Sequence, residues 1–274
     1  MLAALSGFSL LAIAVKELTD SLTVAQILFY RNLIALLIIS TIIFYKDPSD
    51  FRTRNFKQHA LRNTAHFLGQ YGWIYGIAFI PLAEVFALEF TTPIWTAIIA
   101  VFFLREKLNT PRLISIFFGF AGVLVILRPG IEVIHPAALA VLLGAVGYGL
   151  THVLTKWLSR SDSPLTIVFY MTLVQLPLAL LFSLTDWQWP TGLMWFWLML
   201  IALCGLFAHF AMSKALLYAD ANVVVPIDYL RLPLIMLIGY WIYNEGVDLY
   251  LLLGAMMMLT GNLVGLTAEK RKRQ

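Results

Sequence analysis

A chain of 274 residues that is 61% apolar and 12% charged, with a mean hydropathy of +0.84, has more apolar surface than one soluble core can bury, because a soluble domain is about half apolar and about a quarter charged. The single cysteine, Cys204, excludes a disulfide scaffold and a cysteine metal cluster. A net charge of +4 could suit nucleic acid, but the basic residues are sorted by side of a membrane, so no nucleic-acid partner is expected.

A membrane-spanning helix needs about 20 mostly apolar residues. Read on that window, the chain is an all-α integral membrane protein with spans at 1–15, 24–44, 63–80, 84–104, 111–128, 136–156, 165–184, 193–217, 222–243 and 248–267. The first span is short, so the chain begins inside it or its start lies upstream, and the opening residues lack the basic start and cleavage site of a signal peptide. Thr110-Pro111 reads as an N-cap followed by a first-turn proline, opening the fifth span. Asp186-Trp187-Gln188-Trp189-Pro190 reads as an interfacial turn with belt aromatics, and Asp248 caps the tenth span.

Of the 19 lysines and arginines, 15 fall in the even-numbered exits and the C-terminal tail, Lys16 and Arg128 fall on the other side, and Arg31 and Arg231 fall within spans. Positive charge is retained in the cytoplasm, which places both termini there. Lys270 to Arg273 then reads as a topology signal or a lipid contact.

The chain resembles itself. At a shift of 140 residues Lys16 meets Lys156, Ser21 meets Ser161, and Ile27-Leu28-Phe29-Tyr30 meets Ile167-Val168-Phe169-Tyr170. At 139, Glu106 meets Glu245, Gly122 meets Gly261, and Leu124-Val125 meets Leu263-Val264. The domains are therefore read as a first repeat over 1–130, a second over 131–268 and a basic tail over 269–274. Five spans per repeat is an odd number, so the ten transmembrane helices form two inverted five-helix repeats. Such inverted repeats recur in secondary transporters, with the solute bound near midplane between the repeats.

Phe29-Tyr30-Arg31-Asn32-Leu33, then Pro81-Leu82-Ala83-Glu84 and Ala87 through Trp95, then Leu104-Arg105-Glu106-Lys107-Leu108, Gly119 to Val123 and Leu127-Arg128-Pro129-Gly130, resemble the EamA type of the drug/metabolite transporter superfamily over nearly the whole chain. Asn244-Glu245-Gly246 is a weaker version of that signature in the second half. The resemblance implies ten helices, cytoplasmic termini in a bacterial inner (plasma) membrane, and a cavity lined by the third, fourth, eighth and ninth helices. It also implies cargo drawn from amino acids, nucleoside-like metabolites, vitamins such as riboflavin, S-adenosylmethionine and drugs.

Ionisable groups at membrane depth are costly and face a bundle interior or a wet cavity. Here they are Arg31, Glu89, Asp228, Arg231, His66, His152 and His209. Matching Pro93 to Pro233 sets Glu89 against Tyr229, beside Asp228, so each half offers one carboxylate at similar depth. Asp228 and Arg231, three apart, are close enough to pair along one helix. Arg31, near the start of its span, is expected to snorkel to an interface. Trp73, Trp95 and Tyr229 lie on the helices that the resemblance assigns to the cavity, where aromatic faces can stack on a planar ring or an organic cation. The candidate solute-binding set is Glu89, Trp95, Trp73, Asp228, Tyr229, Arg231 and His209. Gly69, Gly72 and Gly76, and Gly261 with Gly265, permit close helix approach.

Histidines at metal-site spacing and an HExxH motif are absent, so no metal or other cofactor is expected, and without a Walker motif ATP is not the direct energy source. An intramembrane enzyme would need a nucleophile with its base. A channel would need a repeated polar filter. Neither is legible, so the chain reads as a secondary carrier for a small organic solute, with protons and a second copy of the chain as further candidate partners.

Overall fold

The computed structural model describes residues 2–104, 110–131, 133–184, 186–219, 224, 231–246 and 248–273. Among them every regular element is helical. In chain order they are α1 (Leu2–Lys16), α2 (Val24–Lys46), a 3-10 turn (Pro48–Phe51), α3 (Phe56–Phe79), α4 (Leu82–Glu89), α5 (Thr92–Leu104), α6 (Thr110–Leu127), α7 (Pro136–Leu158), α8 (Pro164–Ser183), α9 (Met194–Tyr218), α10 (Arg231–Tyr243) and α11 (Leu249–Arg273).

Among the described residues five stretches are long and apolar enough to cross a bilayer: Val24–Lys46, Leu82–Phe103, Pro136–Leu158, Pro164–Ser183 and Met194–Tyr218. Their large apolar side chains point outward as well as inward. Leu37, Phe44, Phe102, Leu143, Leu181 and Phe207 are exposed, while Asn32, Asn63, His66, Gln70 and Gln175 are buried. A water-soluble fold has the reverse pattern, since exposed apolar patches are kept small in water.

Local chemistry sets the boundaries. Thr23 caps α2 in a capping box with Gln26, Ser163 caps α8 ahead of Pro164, and His135 caps α7 ahead of Pro136. Each cap satisfies amide donors that the first turn leaves unpaired.

The fourth predicted span differs from its expectation of one continuous helix. It breaks at Phe90-Thr91, between α4 and α5. Pro93 has no N–H to give the Glu89 carbonyl, so an unbroken helix would leave that acceptor empty. The Thr92 hydroxyl donates to it instead at 2.6 Å, and the Thr91 hydroxyl serves Leu88 at 2.8 Å.

The helices pack in a regular scheme: α2 on α8, α6 on α11, α1 on α9, and α3 on α7. Small residues set the spacing of α3 and α7. A Cβ on Gly72 would lie 2.3 Å from the Ala140 carbonyl oxygen, and one on Gly144 would lie 2.8 Å from that of Gly69.

Both ends of the bundle are tied across the sequence halves. At one end the Asp162 carboxylate accepts from the Thr53 hydroxyl at 3.0 Å and lies 3.0 Å from the His59 ring, while Asp50 accepts from Ser163 at 2.6 Å. At the other, Glu245 accepts from the Leu82 amide at 2.8 Å and lies 3.6 Å from the Lys16 ammonium. Lys16 also donates to the Ile77 carbonyl at 3.0 Å, and Lys156 donates to the Leu216 carbonyl at 2.9 Å. Each lysine thus serves the last turn of a helix about 60 residues downstream.

Candidate functional site

A cavity sits among α1, α2, α3, the α4–α5 break, α7, α9 and the start of α10. It runs from Ile74, Glu89 and Arg231 toward Arg62, Thr155 and Ser213. Beyond Ile74 the next turns close completely, with Ile77 and Leu82 both 0% exposed.

Its centre is an ion pair between the halves. The Arg231 guanidinium lies 2.9 Å from Glu89 Oε1, and the Trp73 indole N–H donates to Glu89 Oε2 at 2.8 Å. Arg231 also lies over two rings, 4.6 Å from the Phe86 centroid and 5.2 Å from that of Phe8. The break between α4 and α5 puts Glu89 at the C-terminal end of a short helix, where backbone carbonyls carry partial negative charge. A carboxylate there is held by its cationic and N–H partners against an adverse dipole.

Of the seven predicted site residues, the cavity gathers Glu89, Trp73, Arg231 and His209. Trp95 is elsewhere: its ring meets Phe120 of α6 edge-on at 5.5 Å, and it packs against Gly149 of α7. Asp228 and Tyr229 lie outside the described residues, and so does the pairing expected between Asp228 and Arg231. Among the described residues Arg231 has an acidic partner across the sequence halves, in Glu89.

Two arginines were placed differently by the sequence. Arg31 does not snorkel to an interface. It is 3% exposed, lines the cavity, and bonds through Nη2 to Gln70 at 2.7 Å and Gln175 at 3.3 Å. These amides turn the side chain inward, where an interface would have offered only lipid headgroups and water. Arg62, counted among the cytoplasmic basic residues, is 2% exposed and also lines the cavity. Its Nε donates to Thr155 at 2.7 Å and its Nη1 to Asn63. Arg62, His66 and Gln70 are spaced i, i+4, i+8 on one face of α3. That stripe continues to Trp73, one of the candidate residues, and was the available signal.

The polar lining is one connected network. Gln175 Nε2 lies 2.7 Å from His66 Nδ1 and also donates to the Asn63 carbonyl at 3.3 Å. The His66 ring meets that of His209 edge-on at 4.7 Å. Among the described residues no group of three or more His, Cys, Asp or Glu is arranged to hold a metal. What the described lining offers is hydrogen-bond donors from three arginines, one carboxylate and several aromatic faces.

An outwardly apolar helical bundle around a buried polar cavity is the form of a membrane-embedded protein. The model of the EamA-like transporter family matches residues 1–128 and again 135–267, and the chain belongs to that family. A curated S-adenosylmethionine uptake transporter from Rickettsia felis is 27% identical over 93% of this chain and 87% of its own length. A riboflavin transporter from Vibrio cholerae is 34% identical over 70% of this chain and 65% of its own, and one from Brucella anthropi is 27% identical over 96% and 95%. A solved crystal structure aligns with a TM-score of 0.75 over 100% of this chain and 97% of that one, at 16% identity, which speaks for the fold alone. The family and the names of these relatives indicate a transporter rather than an enzyme.

Proposed function

We propose that this chain is a secondary carrier that moves a small organic metabolite across a bacterial inner membrane by alternating access between two inverted five-helix halves, with both termini in the cytoplasm. The observation that carries the reading is the Glu89–Arg231 pair, which joins the halves inside the cavity at 2.9 Å.

The packing scheme supports inverted halves. Counting α4 with α5 as one span, α2 on α8 and α6 on α11 each join equivalent helices, while α1 on α9 and α3 on α7 would be exchanged by a two-fold axis. The lysine contacts support it too, since Lys16 with Ile77 and Lys156 with Leu216 correspond at shifts of 140 and 139 residues. The broken helix at the cavity is the device by which carriers present backbone and polar groups at midplane.

The end held by Lys16, Glu245 and the Leu82 amide is closed in this form. Alternating access requires those contacts to part while the Asp162 end tightens. Glu89, Trp73, Arg231 and His209 form the solute-contacting set, with Asp228 and Tyr229 as further members on sequence grounds. The test is flux in proteoliposomes without ATP, against a panel of labelled metabolites that includes S-adenosylmethionine and riboflavin. Saturable uptake that Glu89→Gln lowers at least about ten-fold, a loss of about 1.4 kcal/mol of transition-state stabilisation, is the expected result. Turnover of a metabolite without flux would overturn the reading.

A further inference from the structure

Among its described residues the cavity carries more positive charge than negative. Arg31, Arg62 and Arg231 line it, against one described carboxylate, Glu89. Glu89 is engaged by Arg231 and Trp73. Among the described residues every hydrogen-bond partner of the Arg31 and Arg62 guanidiniums is a neutral amide or hydroxyl: Asn32, Gln70 and Gln175 for the first, Thr155 and Asn63 for the second.

A guanidinium stays charged and offers five donors in a fixed fork. All the bonds of Arg31 leave from Nη2, so its Nη1 and Nε donate to no described residue. Arg62 uses Nε and Nη1, which leaves Nη2. The two are coupled, because Gln175 accepts from Arg31 and donates to the Asn63 carbonyl, and Asn63 accepts from Arg62. Neutral partners orient a buried cation without neutralising it, and an uncompensated charge away from bulk water is costly. A counter-charge arriving with the cargo removes that cost and satisfies the remaining donors.

We infer that Arg31 and Arg62 form an oxyanion subsite, and that the carried metabolite presents a carboxylate or phosphate to it while its organic body lies against Trp73 and Tyr148. This rests on the carrier reading above and names the cargo class for the same cavity. An organic cation, the alternative that aromatic walls allow, meets two guanidiniums with no acidic partner among the described residues and a carboxylate already in use. Charge-assisted fork-to-oxyanion bonds are about twice as strong as neutral ones, so the subsite discriminates as well as attracts.

The test pairs probes that differ only in the anion: N-acetylphenylalanine with its amide, and adenosine monophosphate with adenosine. Thermal unfolding of the purified chain is measured with each at about 10 mM, because a ligand bound to the folded form alone raises the midpoint. At least one anionic member is expected to raise the midpoint by about 2 °C or more above its neutral twin. The pair that responds distinguishes a carboxylate from a phosphate cargo. Arg31→Gln and Arg62→Gln should each abolish the difference, and Arg31→Lys should keep part of it. Should a variant fail to fold, the comparison within the native chain decides alone, and equal midpoints for anionic and neutral members overturn the subsite. Flux of the same probes separates the two ideas. Stabilisation by an anion that is never carried leaves the subsite and removes the carrier reading. Flux of a neutral member with no anionic stabilisation does the opposite, and neither effect removes both.

Discussion

Glu89 does two things at once. It neutralises Arg231 across the halves and accepts the Trp73 N–H. Removing one member of a buried ion pair costs about 3–5 kcal/mol, because the other charge stays in place without it. Glu89→Gln should therefore lower stability, and the double change Glu89→Gln with Arg231→Gln should restore part of it. Thermal unfolding of the two single variants and the double one measures the coupling, and additive losses would separate the pair. Both residues were legible in the sequence as charges at membrane depth. Their partnership was not, since helix periodicity reports neighbours three or four apart and these lie 142 apart. Arg31 and Arg62 were hidden for a related reason. Hydropathy counts a charge near a span end as belonging to an interface, whereas the amides of Gln70 and Gln175 and the Thr155 hydroxyl draw these two inward.

Among the elements, the break between α4 and α5 was invisible to hydropathy because Leu82–Phe103 is apolar throughout. Only Pro93 and the threonines around it foretold it. Pro93→Ala gives the Glu89 carbonyl a backbone donor and lets the two helices fuse. That variant should unfold at a higher temperature and carry solute more slowly; flux at the native rate would show that the break is not used. The seam of α3 and α7 is less forgiving. Gly72→Ala puts a Cβ 2.3 Å from the rigid backbone at Ala140, and overpacking of this kind costs about 1–3 kcal/mol. At Gly205 the added Cβ would meet only Leu11 Cδ1, at 3.4 Å. Gly205→Ala should leave the unfolding midpoint nearly unchanged, and a loss at Gly205 equal to that at Gly72 would argue against backbone contact as the cause.

For the whole molecule, the basic asymmetry and the shared register predict an inverted bundle, and its topology can be tested directly. Reporter fusions at Gln274 and at Pro190 should report opposite sides of the membrane, and one side for both would refute the ten-span arrangement. The closed end makes a second demand. Glu245→Gln weakens its hold on Lys16 and on the Leu82 amide, so a cysteine placed at Trp73, with Cys204 changed to serine, should react faster with a membrane-impermeant thiol reagent added on the Lys16 side. An unchanged rate would mean that Glu245 does not help to shut that end.

The family model matches each half of the chain, yet the charge is not doubled. Counting on 140 residues, Arg31 falls on Met171 and Arg62 on Ala202. Duplication supplied one scaffold twice, and divergence then gave the halves unlike polar groups, Arg31 and Arg62 from the first and Tyr148, His209 and Arg231 from the second. A new cargo can therefore arise from a few replacements in either half, with the scaffold left as it is.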